Sequence, residues 1–190
     1  MPRLRALALA LALLAPAGGA SGAEPSAYAG RQEATIKALS AEQIDDFMNG
    51  RGMGLALAAE LNGYPGPRHV LELAGELALT PAQLARTRAL FQEMRLRAIA
   101  LGEQILAREA LLDELFAAGT ATADTLHQTT AALGRLSGQL RAHHLDYHLA
   151  MRALLDARQI DEYQRLRGYA AAAGAAGGHH HQHSRDGRQQ

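Results

Sequence analysis

Residues 80–119 read TPAQLARTRALFQEMRLRAIALGEQILAREALLDELFAAG. Thr80 supplies an N-capping oxygen and Pro81 has a φ already suited to a first helical turn. After them comes a long run without a breaker until Gly119, with Gly102 as its one weak point. Leu84, Phe91, Ala98, Ile105 and Leu112 recur every seven residues, and Met94, Leu101 and Leu115 take the companion positions. That is the a/d seam of a helix that packs along its length against another. The spacing therefore predicts a helix from Pro81 to Ala118, about 55 Å long at ~1.5 Å per residue.

A second long helix is predicted from about Asp124 to Leu154, with Leu126, Leu133, Leu136, Leu140, Tyr147 and Leu154 as its seam. The short link between the two makes them antiparallel neighbours. Upstream, short helices are expected at Ser40 to Asn49, closed by Gly50, at Leu55 to Leu61 and at His69 to Leu77. Asn62-Gly63-Tyr64-Pro65-Gly66-Pro67 between the last two is a turn signal. Asp156 caps a final helix, Ala157 to Arg167, that stops at Gly168. The expected fold is all-α: an elongated antiparallel long-helix hairpin with short N-terminal helices and a short C-terminal helix. Such a hairpin buries little alone, so a homodimer is expected.

The ends differ in character. Arg3 and Arg5 precede an unbroken Ala/Leu run from Ala6 to Ala15, and Ser21 and Ala23 form a −3/−1 pair. This is the plan of a cleaved secretory signal over residues 1–23. Its apolar run of about ten residues is too short to span a bilayer. Residues 24–39 read as an irregular N-terminal segment, 40–169 as the helical domain, and 170–190 as an Ala/Gly- and His-rich disordered tail.

Composition narrows the function. The chain has 19 basic and 19 acidic residues, and losing two signal arginines leaves it slightly acidic. Nucleic acid is thus not an expected partner, and the mature protein is not expected to be membrane-integral. Cysteine is absent, which excludes disulfides, a thiol nucleophile and a lipidated cysteine at the cut. No Gly-x-Ser-x-Gly elbow, phosphate loop or His-Glu-x-x-His helix is present, so an enzyme is not expected.

One phrase opens three helices: Leu39-Ser40-Ala41-Glu42-Gln43-Ile44, Leu79-Thr80-Pro81-Ala82-Gln83-Leu84 and Leu155-Asp156-Ala157-Arg158-Gln159-Ile160. It is a capping box. The Ser40, Thr80 or Asp156 oxygen accepts from the N3 amide, while Gln43, Gln83 or Gln159 reaches back to the cap amide. Each box should stabilise its helix start by ~1 kcal/mol.

Leu79-Thr80-x-x-Gln83 and Leu155-Asp156-x-x-Gln159 resemble the paired LTxxQ motifs of the Spy/CpxP family of periplasmic proteins, with Asp156 in place of the family's Thr. Gly52-Met53-Gly54, Pro65-Gly66-Pro67 and Leu166-Arg167-Gly168-Tyr169 also resemble a subgroup of such proteins. The resemblance covers roughly Ser40 to Tyr169. It implies a periplasmic antiparallel dimer, cradle-shaped, that holds unfolded or misfolded envelope proteins without ATP. It also implies links to envelope stress, a sensor kinase's periplasmic domain as a further partner, and metal-responsive relatives that bind zinc or sense nickel and cobalt. A client cradle in the family tends to be basic, and this chain departs from that.

Two groups of residues carry the alternatives. Leu96, Ile99 and Leu106 lie off the predicted seam, with Arg88, Arg95 and Arg97 beside them. Apolar groups rimmed by Arg suit unfolded segments, and equally suit burial against the N-terminal helices or a second copy. His144 and His148 are spaced i, i+4, so both imidazoles share a face. With His69, Tyr147 and Met151 nearby they suggest zinc, nickel or copper, although no cofactor is required by the first reading. Interfacial histidines without metal are the plainer interpretation, His143 among them at a d position.

Overall fold

The computed structural model describes residues 26–170 of the 190. The predicted signal and nearly all of the predicted tail lie outside the described residues. The described residues 26–33 belong to a compact unit that ends at Glu33, with a 3-10 turn at Arg31–Glu33. From Ala34 onward the chain is one all-helical body. Its helices are α1 (Ala41–Asn49), α2 (Leu57–Glu60), α3 (Pro67–Glu72), α4 (Pro81–Ala117), α5 (Ala123–Leu154) and α6 (Ala157–Leu166). No helix among the described residues is long and apolar enough to cross a membrane.

The capping chemistry sets the starts. Ser40, Thr80 and Asp156 each accept from the amide three residues on, and Gln43, Gln83 and Gln159 each return a side-chain oxygen to the cap amide. A fourth box, unexpected from the sequence, opens α5: Thr122 and Thr125 exchange the same pair of bonds. Threonine at N3 does what Gln does elsewhere, with its hydroxyl accepting from the Thr122 amide at 2.9 Å. At the other end of α1, Gly50 closes the helix in the left-handed region at φ 63°.

α3 starts two residues earlier than expected, because Pro67 at its first position is pre-set for a helical turn, and it ends at Glu72. The expected continuation to Leu77 is instead a run of turns, closed by Ala78 at φ 48°. Leu77 is nonetheless wholly buried. α2 is likewise a single turn rather than the longer helix expected over 55–61.

The long helices α4 and α5 pack together. Two apolar clusters hold the body. One comprises Ala98, Leu101 and Ile105 of α4 with Leu136 and Leu140 of α5, covered by Phe47, Met53 and Leu55. The other gathers Val70, Leu77, Leu90, Met151, Leu155, Ile160 and Tyr163, so that α6 and the turns after α3 close one end of the long pair.

The seam drifts from the seven-residue template. On α4 the buried residues are Thr87, Leu90, Met94, Ala98, Leu101, Gly102 and Ile105, while Leu84, Phe91, Leu112 and Leu115 are only half-buried. On α5 the buried row becomes Leu136, Leu140, His144, His148 and Met151, and Tyr147 moves to its edge. A straight helix turns 3.6 residues per turn, so a strict heptad face slides around it and the i, i+4 row takes over.

Gly102, expected as a weak point, is where α1 crosses. A β-carbon there would stand 2.5 Å from the Phe47 carbonyl oxygen, so only glycine admits this approach. Ile36 is buried and Lys37 pairs with Asp113 at 2.7 Å. The last part of the segment expected to be irregular is thus tied to the helical body.

Candidate functional site

The turn after α2, the start of α3, the first half of α4 and the second half of α5 line an open cavity of about 570 Å³. Glu60, Gly66 and His69 lie on its α2–α3 side, Phe91, Met94 and Arg95 on α4, and His144 and His148 on α5. Tight Gly50 and Gly54 turns bring Arg51 and Met53 to the same rim.

Glu60 is the electrostatic centre of this region. It closes the single turn of α2 and is 5 % exposed. The Tyr163 hydroxyl donates to its Oε1, and the Tyr169 hydroxyl reaches the same oxygen at 3.3 Å. The Gly66 amide donates to Oε2 at 3.2 Å. His69 Nδ1 lies 3.3 Å and Arg167 Nε 3.5 Å from Oε1. Burial would raise the Glu60 carboxyl, but hydrogen bonds from His69 and Tyr163, with smaller electrostatic attraction from His69 and His148, hold it down at about 2. Conversely, burial and the Glu60 hydrogen bond push the Tyr163 phenol far above its usual range. Residues far apart in sequence are thereby fastened to one carboxylate.

The two predicted histidines come together here, and the third approaches from α3. His148 is buried, and its Nδ1–H donates to the Tyr64 carbonyl at 2.7 Å, with Glu60 Oε2 at 3.8 Å. Its Cε1 and Nε2 edge lies against Gly66, where a β-carbon would be only 2.9 Å from Cε1. His144 is 3 % exposed, and its Nε2 is enclosed with no hydrogen-bond partner. Burial, then the neighbouring His143 and His148, depress it to about 4, so at neutral pH the ring is uncharged. His143 sits at the seam as expected, half-buried, donating from Nε2 to the Met94 carbonyl at 3.0 Å. Met151 belongs to the apolar cluster beneath α6, not to the cavity. Among the described residues, no three His, Cys, Asp or Glu side chains gather into a metal-holding group.

The off-seam stripe divides in two. Arg95 donates from Nε to the Asn49 carbonyl at 3.2 Å, and Ile99 packs under Gly50, so α1 covers that part. Leu106 is half-buried. Arg88 and Arg97 are exposed, and Leu96 is 70 % exposed, between Arg95 and Arg97 in sequence.

Of the three predicted glutamines, Gln43 serves only its own helix start. Gln83 and Gln159 also bind each other. Gln83 Nε2 donates to Gln159 Oε1 at 2.9 Å, and Gln159 Nε2 returns a bond to Gln83 Oε1 at 3.0 Å.

Comparison with family models, with curated proteins and with solved structures gives no match for this chain.

Sequence reasoning passed over Glu60 and Tyr163, and met Gly66 and Arg167 only inside motifs, without a part in this site. A lone acid ending the short apolar stretch Leu57-Ala58-Ala59-Glu60-Leu61 was the available signal, since such an acid either faces water or finds donors. Its donors were out of reach of any local pattern.

Proposed function

We propose that the exported chain is an ATP-independent periplasmic binder of unfolded envelope proteins, of the Spy/CpxP type and linked to envelope stress. The observation that carries this reading is Leu96, 70 % exposed on α4 with Arg95 and Arg97 on either side in sequence. An outward apolar side chain rimmed by cations offers an unfolded segment weak apolar contact plus attraction to its acidic groups. Phe116 on α4 itself, and Met48, Leu57, Leu61 and Leu149 on three further helical segments, are also more than half exposed. Weak, dispersed apolar contacts suit a binder that must accept many sequences and release them.

An antiparallel arrangement of the long helices is supported by cross-contacts. Gln83 at the start of α4 meets Leu154 at the end of α5, and Met94 meets His143. The exposed apolar groups also suit a homodimer, and a sensor kinase's periplasmic domain is the further partner this reading implies.

The test is light scattering of a chemically denatured client diluted into buffer with chelator, no ATP and the exported chain. Suppression of aggregation near stoichiometric amounts is expected, and Leu96→Asp combined with Arg88→Glu should reduce it. Suppression that requires added zinc or nickel would transfer the function to a metal-responsive protein acting through His144 and His148. No suppression under either condition would end the client-binding reading.

A further inference from the structure

The cavity beside Glu60 holds a donor set that client binding does not use. We propose that it is a binding site for a soft monovalent metal ion, cuprous copper, with His144, His148 and the Met94 thioether as ligands. Two observations converge on it. His148 spends its Nδ1 proton on the Tyr64 carbonyl, and in the neutral ring this leaves Nε2 as a bare lone pair. Such a backbone bond at one nitrogen is how proteins orient an imidazole whose other nitrogen holds a metal. His144 Nε2 is a buried polar atom with nothing bound to it, on the same face one helical turn away. Leaving it so costs free energy that a bound ligand would offset.

The choice of ion follows from the remaining donors. Both Glu60 oxygens already accept from Tyr163, Tyr169 and Gly66, with His69 and Arg167 against Oε1. That carboxylate is therefore committed to the fold. Asp46 and Asn49 on the cavity wall are likewise engaged, by Arg51 and by Asp45, and His69 turns its Nδ1 to Glu60. Among the described residues no third His, Asp or Glu joins His144 and His148 as a metal-holding group. The soft donors on the wall are thioethers, Met94 on α4 and Met53 on the loop after α1. His143 anchors Met94 across from the turn of α5 that carries His144. Hard cations want oxygen ligands, and zinc sites are completed by thiolate, carboxylate or a third imidazole. Two imidazoles with one or two thioethers suit copper in its cuprous state. This site stands independently of client binding, which uses the outer face of α4.

The full chain carries His179, His180, His181 and His183 near its end, which would bind copper by themselves. The experiment therefore uses the exported chain with these four changed to Gln. It is titrated anaerobically with Cu(I) against a chromogenic cuprous chelator. One equivalent should be withdrawn from the chelator, and His144→Gln and Met94→Leu should each weaken binding about 10- to 100-fold. X-ray absorption should show sulfur beside nitrogen around the ion in the parent and lose the sulfur in Met94→Leu. Met94→Leu conserves volume, and circular dichroism checks that it folds. A second reading needs no variant: Ag(I) should shift the Met94 methyl resonance of the parent at one equivalent. Failure to compete with the chelator overturns the site. Binding unchanged in both variants, or a nitrogen-only ion environment, overturns it equally.

Discussion

The carboxamides of Gln83 and Gln159 form a reciprocal pair, each donating to the other, at the starts of two helices 76 residues apart in sequence. Each oxygen also accepts its own cap amide, from Thr80 and from Asp156. Gln83 Nε2 further reaches the Leu154 carbonyl, and Gln159 Nε2 the Leu77 carbonyl. Two local capping boxes thus become one tertiary clasp that ties α4, α6, the end of α5 and the turn before α4. The repetition of the phrase in the sequence carries the caps; the clasp exists only once the two boxes meet.

Substitution separates the two roles. Gln43→Ala removes a solvent-facing box and should cost about 1 kcal/mol. Gln159→Ala also strands Gln83 and the Leu77 carbonyl in the interior, and should cost about 2–4 kcal/mol. In a double-mutant cycle on urea unfolding, Gln83→Ala and Gln159→Ala should couple by more than about 1 kcal/mol. Additive losses would mean that the boxes act separately.

Gly102 and the two glycines of α5 should respond to alanine with opposite signs. A β-carbon on Gly102 meets the Phe47 backbone oxygen at 2.5 Å, and backbone cannot rotate aside. Gly102→Ala should destabilise by about 1–3 kcal/mol despite better helix propensity, by forcing α1 off α4. Gly134 and Gly138 have no atom within 4 Å of the same point. Gly134→Ala and Gly138→Ala should each stabilise by about 0.5–1 kcal/mol, as thermal unfolding would show. Equal effects at all three sites would contradict the close crossing.

This contrast marks what was legible in the sequence. Period, caps and breakers are local, so all three Gln-type boxes, the two long helices and α6 followed from neighbouring residues. A glycine inside a helix reads as a weakness until the partner backbone that needs it is known, and Phe47 lies far away in sequence. The pairing of His144 with His148 was legible because i, i+4 spacing fixes a shared face. Their enclosure was not, since it depends on Tyr64, Gly66 and Glu60 arriving from other elements. The Arg95–Ile99 part of the outward stripe was ambiguous for the same reason: only the docked position of α1 decides what it covers.

The buried state of His144 gives the fold a pH dependence whose sign can be worked out. The folded ring is held at about 4 against an ordinary value of 6.5, so on acidification the unfolded chain takes up the proton first. The contribution is whole above pH 6.5 and is lost as pH falls from 6.5 through 4. The maximal slope is about 1.4 kcal/mol per pH unit. Other groups titrate across this range, so the measurement is a difference: urea midpoints of the parent and of His144→Gln, in chelator, from neutral to mildly acidic pH. The parent should lose stability more steeply than the variant between those limits. Parallel curves would show that His144 is as accessible to protons folded as unfolded.

Glu60 should be the least replaceable polar residue in the fold, because its surroundings are built entirely of donors. Tyr163, Tyr169 and the Gly66 amide all point hydrogens at it, with the His69 ring at 3.3 Å and the Arg167 guanidinium at 3.5 Å. Glu60→Gln preserves shape but places amide hydrogens where the neighbours also carry hydrogens, and removes the charge that Arg167 faces. The expected cost is about 3–5 kcal/mol, the range for breaking one side of a buried charged pair. Tyr163→Phe removes one donor of several and should cost about 1–3 kcal/mol. Adding Tyr163→Phe to Glu60→Gln should then cost less than it does alone, since its hydroxyl has already lost its acceptor. Denaturant unfolding of the three variants measures all of this. A Glu60→Gln loss no larger than that of Tyr163→Phe would mean that the carboxylate's charge contributes nothing beyond a neutral acceptor, and that α2, α3 and α6 are held by their apolar contacts alone.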